Sequence, residues 1–206
     1  MNIVVFGATG KTGMEVVSQG LEQGHIVTAF VRDPIKISID HKNLRIIEGN
    51  IFDDFSVAKT IKGQEAVICS LGSSELSKTD IRSKGTSIII KAMNSNNVKR
   101  LFVVSAMGVA ESWSTLSFMG RLIFATLLSA SKKDHEAQEK YVRESDLDWT
   151  IFRPSGLNDN PMTGEYILGE NAAAVTSQIP RADVAHAILS EINENKYVKK
   201  AVTITN

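Results

Sequence analysis

The sequence predicts a single α/β domain over residues 1–206, built on a doubly wound parallel sheet. Three observations carry that expectation. Short, wholly apolar runs rich in β-branched residues recur along the chain. Amphipathic segments of helical period lie between them, and a glycine-rich turn joins the first run to the first such segment. Runs that are apolar throughout mark strands covered on both faces. Their alternation with helices makes the strands parallel and the crossovers right-handed.

The elements follow in order. Asn2–Phe6 is too short for a helix and reads as the first strand; Gly7–Gly10 is a turn. Lys11–Gln23 places Met14, Val17 and Leu21 at helical spacing and stops at Gly24. His25–Val31 is the second strand, closed by Arg32-Asp33-Pro34, and Leu44–Glu48 is the third. A helix over Asp53–Ile61, a strand at Ala66–Ser70, a helix over Asp80–Asn96 and a strand at Arg100–Ser105 complete the first half. In the Asp80–Asn96 helix, Ile81, Ile88 and Met93 are expected inward. Ser131–Ser145 reads as a charged helix and Trp149–Phe152 as a sixth strand ending at Arg153-Pro154. Residues 155–171, with Gly156, Gly164, Gly169 and Pro161, read mostly as loop. Ala182–Asn193 carries Val184, Ile188 and Ile192 on one helical face behind Pro180, and Ala201–Thr205 is a last strand. These later segments form small C-terminal elements on the substrate side.

Composition narrows the function classes. The chain has 206 residues, 43% of them hydrophobic, and balances 23 Lys+Arg against 23 Asp+Glu. It is long enough to bury its own core, and it lacks the basic footprint of a nucleic-acid binder. Its single cysteine, Cys69, sits on an apolar strand as a core residue and leaves no disulfide framework or cysteine-rich zinc site. The four histidines share no ligand spacing, so no metal is expected. The start of the chain has no signal-peptide pattern. The apolar stretch Leu116–Ala130 is short for a bilayer and carries Arg121. A cytoplasmic location, with no membrane or nucleic-acid partner, is the expectation.

The turn Gly7-Ala8-Thr9-Gly10-Lys11-Thr12-Gly13 has the spacing G-x-x-G-x-x-G between a strand and a helix. Such a turn lets backbone approach a pyrophosphate, packs helix tightly on strand, and aims the N–H groups of the helix N-terminus at the phosphates. A Walker A loop would need a glycine where Val5 stands, so a nucleoside triphosphatase is disfavoured. At the end of the second strand an acid would bond the ribose hydroxyls of NAD, whereas an arginine accommodates the 2′-phosphate of NADP. Arg32 is read as facing the adenosine, with Asp33 turned into the bend with Pro34, which favours NADPH over NADH.

These residues, with Gly49-Asn50-Ile51, Leu71-Gly72-Ser73, Val104-Ser105-Ala106, Asp134-His135, Arg143-Glu144-Ser145 and Asn160–Tyr166, resemble the atypical short-chain dehydrogenases/reductases. The likeness is to the NADPH-dependent flavin reductases, or biliverdin B reductases, with NmrA-like regulators as relatives. It covers essentially the whole chain and implies a Rossmann-type fold. It puts Gly7, Thr9, Gly10, Lys11, Thr12 and Gly13 at the pyrophosphate and Arg32 on the 2′-phosphate. Asn50 and Ile51 would border the adenine, although relatives usually carry Asp where Asn50 stands. Leu71, Gly72 and Ser73 would line the central ribose, and Ser105 and the segment from Arg153 and Pro154 would lie near the nicotinamide. A small-molecule conjugated acceptor (flavin, quinone or tetrapyrrole) and a monomer or homodimer are implied.

Two readings compete at the reacting centre. The Tyr-x-x-x-Lys pair of ordinary short-chain reductases is missing: Tyr141, Tyr166 and Tyr197 are followed four residues on by Ser145, Glu170 and Ala201. Ser105 and His135 are the candidate catalytic residues. Ser105 equally fits a cap at a strand end, and His135 equally fits a solvated histidine in a helix of Lys, Asp and Glu. The Trp113–Leu128 stretch reads either as a helix packed on the body or as the apolar wall of a pocket or dimer surface. The chain is then either an NADPH-dependent reductase or a non-catalytic dinucleotide sensor.

Overall fold

The computed structural model describes residues 1–73, 80–115, 129–170, 172 and 176–206, with the backbone alone at 113–115 and 129–130. The expected Trp113–Leu128 element lies mostly outside the described residues. An eight-stranded sheet runs in the order β3-β2-β1-β4-β5-β6-β10-β8. Its strands are β1 (Asn2–Phe6), β2 (Ile26–Val31), β3 (Leu44–Glu48), β4 (Ala66–Cys69), β5 (Arg100–Val104), β6 (Asp148–Pro154), β8 (Ile167–Gly169) and β10 (Lys200–Thr205). Every neighbouring pair is parallel except β8, which runs antiparallel to β10 with Ile204 opposite Leu168. β7 (Gly156–Asn158) and β9 (Gln178–Pro180) form a separate parallel pair, and β7 and β8 both lie in the 155–171 stretch where a loop was expected. Three residues carry no period, so these short strands arise from long-range pairing and leave no local pattern.

The helices are α1 (Lys11–Glu22), α2 (Asp54–Ile61), α3 (Ile81–Ser95), α4 (Ser129–Arg143) and α5 (Arg181–Glu194). The pleat divides the core into two layers. Ile3 and Val5 of β1 join Val16 and Val17 of α1 and Val184 and Ile188 of α5. Val4 and Phe6 point the other way, to Val57 of α2, Ile89 and Met93 of α3, and Val142 of α4. This is the doubly wound α/β architecture that the alternation predicts. α3 rolls away from its expected face: Ser83, Thr86, Ile89 and Met93 are buried, while Ile81 and Ile88 are only half-buried. The cause is α4, which packs polar side chains against it.

That polar face is the second departure. The charged sequence of α4 reads as solvated, yet Asp134, His135, Gln138 and Glu139 are all buried. Asp134 reaches across to α3. It accepts hydrogen bonds from the backbone N–H of Ser83 at 2.9 Å and from its hydroxyl at 2.6 Å, and so caps the first turn of that helix.

Candidate functional site

Strand order reverses between β1 and β4, and the glycine turn lies at that switch point, where open α/β sheets bind ligands. Gly7 adopts φ +85°, and a Cβ there would lie 2.3 Å from the Ser70 carbonyl oxygen at the end of β4. The Gly10 N–H closes the turn on the Gly7 carbonyl at 2.9 Å. On the inner face of α1, a Cβ on Gly13 would lie 2.2 Å from that same carbonyl oxygen, so the helix sits directly on the turn. No side chain caps α1, and its first turn has no acidic residue. Thr9, Gly10 and Lys11 are exposed, Thr12 and Gly13 buried beneath them. An uncapped helix start pressed this close to two strands fits a diphosphate, whose charge and oxygens would meet the backbone N–H groups.

The tip of β2 separates Arg32 from Asp33. Asp33 Oδ1 accepts the Ile35 N–H at 3.3 Å and caps the short 3₁₀ turn Pro34–Lys36. Arg32 is exposed and has no ion-pair partner among the described residues. Asn50 is exposed, its Oδ1 accepting the Phe52 N–H at 3.0 Å, and Ile51 is buried behind it. At the end of β4, Leu71 is buried, Gly72 exposed and Ser73 half-buried.

At the tips of β5 and β6 a buried charge cluster appears. The Ser105 hydroxyl donates to Glu139 Oε1 at 2.7 Å, while His135 Nδ1 is 3.5 Å away. Arg153 turns its guanidinium inward and grips Glu139 with both ends, Nε to Oε1 at 2.9 Å and Nη2 to Oε2 at 2.5 Å. It also donates to Glu111 at 2.7 Å, and Arg143 reaches that carboxylate at 3.1 Å. Burial alone would lower the Arg153 pKa, but the Glu139 hydrogen bonds and charge outweigh it and hold the group above its ordinary value. Arg153 and Pro154 are both buried, so the Arg153 guanidinium is committed to the carboxylates. Burial and then the Arg82 charge push His135 down to about 4, so it is neutral at pH 7 and not the solvated histidine its neighbours imply.

Arg181 and Asp159 had no sequence signal. Asp159, on the loop after β7, is ion-paired to both Lys11 of the glycine turn and Arg181 at the start of α5. Its carboxyl is held below the usual range, first by the Lys11 hydrogen bond. Beside the pair lies a cleft of about 320 Å³ lined by Thr9, Lys11, Met14, Glu15, Asp159, Asn160, Arg181 and Ala182.

Cys69 is buried, with Sγ 3.3 Å from Thr86 Oγ1, and burial pushes the thiol pKa up, which suits an inert core residue. Tyr141 is exposed on the outer side of α4, beside Ser87, Ile90 and Asn94 of α3. No group of His, Cys, Asp and Glu among the described residues could hold a metal ion. No helix among them is long and apolar enough to cross a membrane.

A doubly wound sheet with a bare glycine turn at its switch point defines a class, the Rossmann-type dinucleotide-binding proteins. Residues 7–195 match the model of the NAD(P)H-binding family, and the chain belongs to that family. It is 25% identical over 215 residues to the uncharacterized protein YwnB of Bacillus subtilis, covering 100% of this chain and 99% of YwnB. Its fold is that of a short-chain dehydrogenase/reductase of Veillonella parvula solved with NADP, at TM-score 0.86 and 21% identity over 100% of this chain and 94% of that one. ChuY, an anaerobilin reductase of Escherichia coli O157:H7, superposes at TM-score 0.82 and 21% identity over 100% and 97% of the two chains. The fold is thus that of NAD(P)H-binding Rossmann-type proteins.

Proposed function

We propose that the chain is an NADPH-dependent reductase that delivers hydride to a flat conjugated acceptor: a flavin, a quinone or a biliverdin-like tetrapyrrole. One observation carries the choice of acceptor. Neither candidate catalytic residue offers a proton at neutral pH. The Ser105 proton is engaged by the Glu139 carboxylate, and the buried His135 is uncharged. No described tyrosine has a lysine four residues on to lower its pKa. A carbonyl substrate needs a general acid at the site. A flavin-type acceptor takes its proton from solvent and needs only to be held against the nicotinamide.

The cofactor, when bound, supplies the hydride; the chain's residues bind, orient and exclude water. The bare α1 start and Gly7–Gly13 would hold the diphosphate. Among the described residues Arg32 is unpaired and so available for the 2′-phosphate, because Asp33, the competing acid, is used in the 3₁₀ cap. The Glu139–Arg153 pair fastens α4 to β6 and fixes Ser105 between them, giving the strand tips a rigid floor. The Veillonella relative's NADP and ChuY's reductase activity support this reading.

The same lack of a proton donor favours a second reading, a non-catalytic NAD(P) sensor like the NmrA-type regulators. Steady-state NADPH oxidation with FMN, FAD, a quinone and biliverdin, run beside a cofactor-binding titration, separates the two. Turnover with at least one acceptor is expected. Tight cofactor binding with turnover of none would replace the reductase by the sensor.

A further inference from the structure

We propose that the cleft beside the glycine turn is a phosphate subsite, formed by Lys11 and Arg181, in which Asp159 is the chain's own occupant and is exchanged for the ligand's phosphate. The inference deepens the reductase reading and rests on it for the choice of ligands. Two cations from opposite ends of the chain converge there on one carboxylate. Lys11 belongs to the turn that would hold the cofactor's diphosphate, so an anion in the cleft is either a part of that group or a phosphate lying next to it. The starts of α1, 12 residues, and α5, 14 residues, both border the cleft and add partial positive charge. Glu15 is the one other lining carboxylate, and it accepts from Gln19 on the next turn of α1 at 3.2 Å.

The Asp159 contacts are built to be exchangeable. The Lys11 and Asp159 side chains are 70% and 55% exposed, and ion pairs in such surroundings are weak. A phosphate monoester carries more charge than a carboxylate, and a monoester or a diphosphate offers more acceptor oxygens for the Arg181 fork. The loop has a second anchor that does not depend on Asp159. Asp183, fully buried, accepts the N–H groups of Thr163 and Gly164, each at 2.9 Å, and the Thr163 hydroxyl at 2.7 Å. Release of Asp159 therefore frees the cations without detaching the loop from α5.

The test uses the full chain with Asp159→Asn, Arg181→Ala and the double variant, whose exposed or half-exposed positions spare the core. Dissociation constants are measured at low ionic strength for inorganic pyrophosphate, NADPH, FMN and riboflavin. Asp159→Asn should tighten pyrophosphate about threefold and Arg181→Ala should weaken it about fivefold, the scale of exposed charge pairs. In the double variant the gain from Asp159→Asn should disappear. The ligands then identify the source of the phosphate. A parallel change in NADPH, with the FMN-to-riboflavin ratio fixed, assigns the cofactor's diphosphate. A change in that ratio with NADPH fixed assigns the acceptor's phosphate. All constants within 1.5-fold of wild type, or weaker binding on Asp159→Asn, would overturn the proposal. Because every readout is binding, a failure of turnover would count against the reductase reading and leave this result standing.

Discussion

His135 gives the molecule a pH dependence whose size follows from its burial. The side chain is buried between α4 and the end of β5, and its pKa falls from the ordinary 6.5 to about 4. The sign follows from proton binding. Between pH 6.5 and 4 the unfolded chain carries a proton on this residue that the folded chain does not, so stability falls as pH falls through that window. At ~1.36 kcal/mol per pH unit, the full penalty below pH 4 is about 3 kcal/mol, and about 2 kcal/mol of it develops between pH 7 and pH 4.5. His135→Asn keeps a polar group near Ser105 but does not titrate. Urea denaturation of both proteins at pH 7, 5.5 and 4.5 isolates the residue, because Asp134, Glu139 and Arg82 are common to both and cancel. Wild type should lose about 2 kcal/mol more than His135→Asn across that range. Equal losses would mean that His135 is hydrated and protonates freely in the folded state, and the argument that it is neutral at the site would fall with it.

Arg32→Ala should weaken NADPH by about 1.5–3 kcal/mol, the range for a hydrogen bond to a charged group, and leave NADH nearly unchanged; equal losses in paired titrations would remove Arg32 from the 2′-phosphate. Gly13→Ala, whose Cβ would meet the Gly7 carbonyl oxygen at 2.2 Å, should abolish cofactor binding or lower the melting temperature by several degrees, read by titration and thermal melt. Tyr141→Phe should keep flavin reduction within about threefold of wild type, far from the ~10²–10⁴ loss of a general acid, because its ring faces outward beside Ile90; a hundredfold loss would contradict that placement. Arg153→Leu should destabilise by about 3–5 kcal/mol in urea, since it strands the Glu139 charge in the interior.

The sheet was readable in the sequence because its central strands are buried on both faces and each is bounded by a turn residue. The limits expected for β1 and β3 coincide with those observed. The glycine turn was readable for a different reason: its spacing is imposed by contacts of 2.2 and 2.3 Å that no side chain survives, so composition and geometry say the same thing. The short strands β7, β8 and β9 were not readable, since each owes its conformation to a partner at least 20 residues away. Asp159, Arg181 and Glu111 were missed for the same reason. An ion pair between distant residues leaves no local spacing.

α4 is the instructive failure, because a signal was present and pointed the wrong way. Asp134, His135, Gln138, Glu139 and Val142 fall on one stripe at helical spacing, and that stripe faces the core. A reading that ranks residues by apolarity turns this face to water. The buried stripe holds because each charge meets a fixed partner: Asp134 the start of α3, Glu139 the Arg153 fork. Such pairs are poor sources of net stability. Of the two, the Glu139–Arg153 pair meets Ser105, one residue beyond the end of β5, where an open α/β sheet receives its ligand. The polar stripe of α4 is thus tied to the same strand tip that the proposed reductase reading sets beside the nicotinamide, and the tie is made by Glu139 rather than by a Tyr-x-x-x-Lys pair.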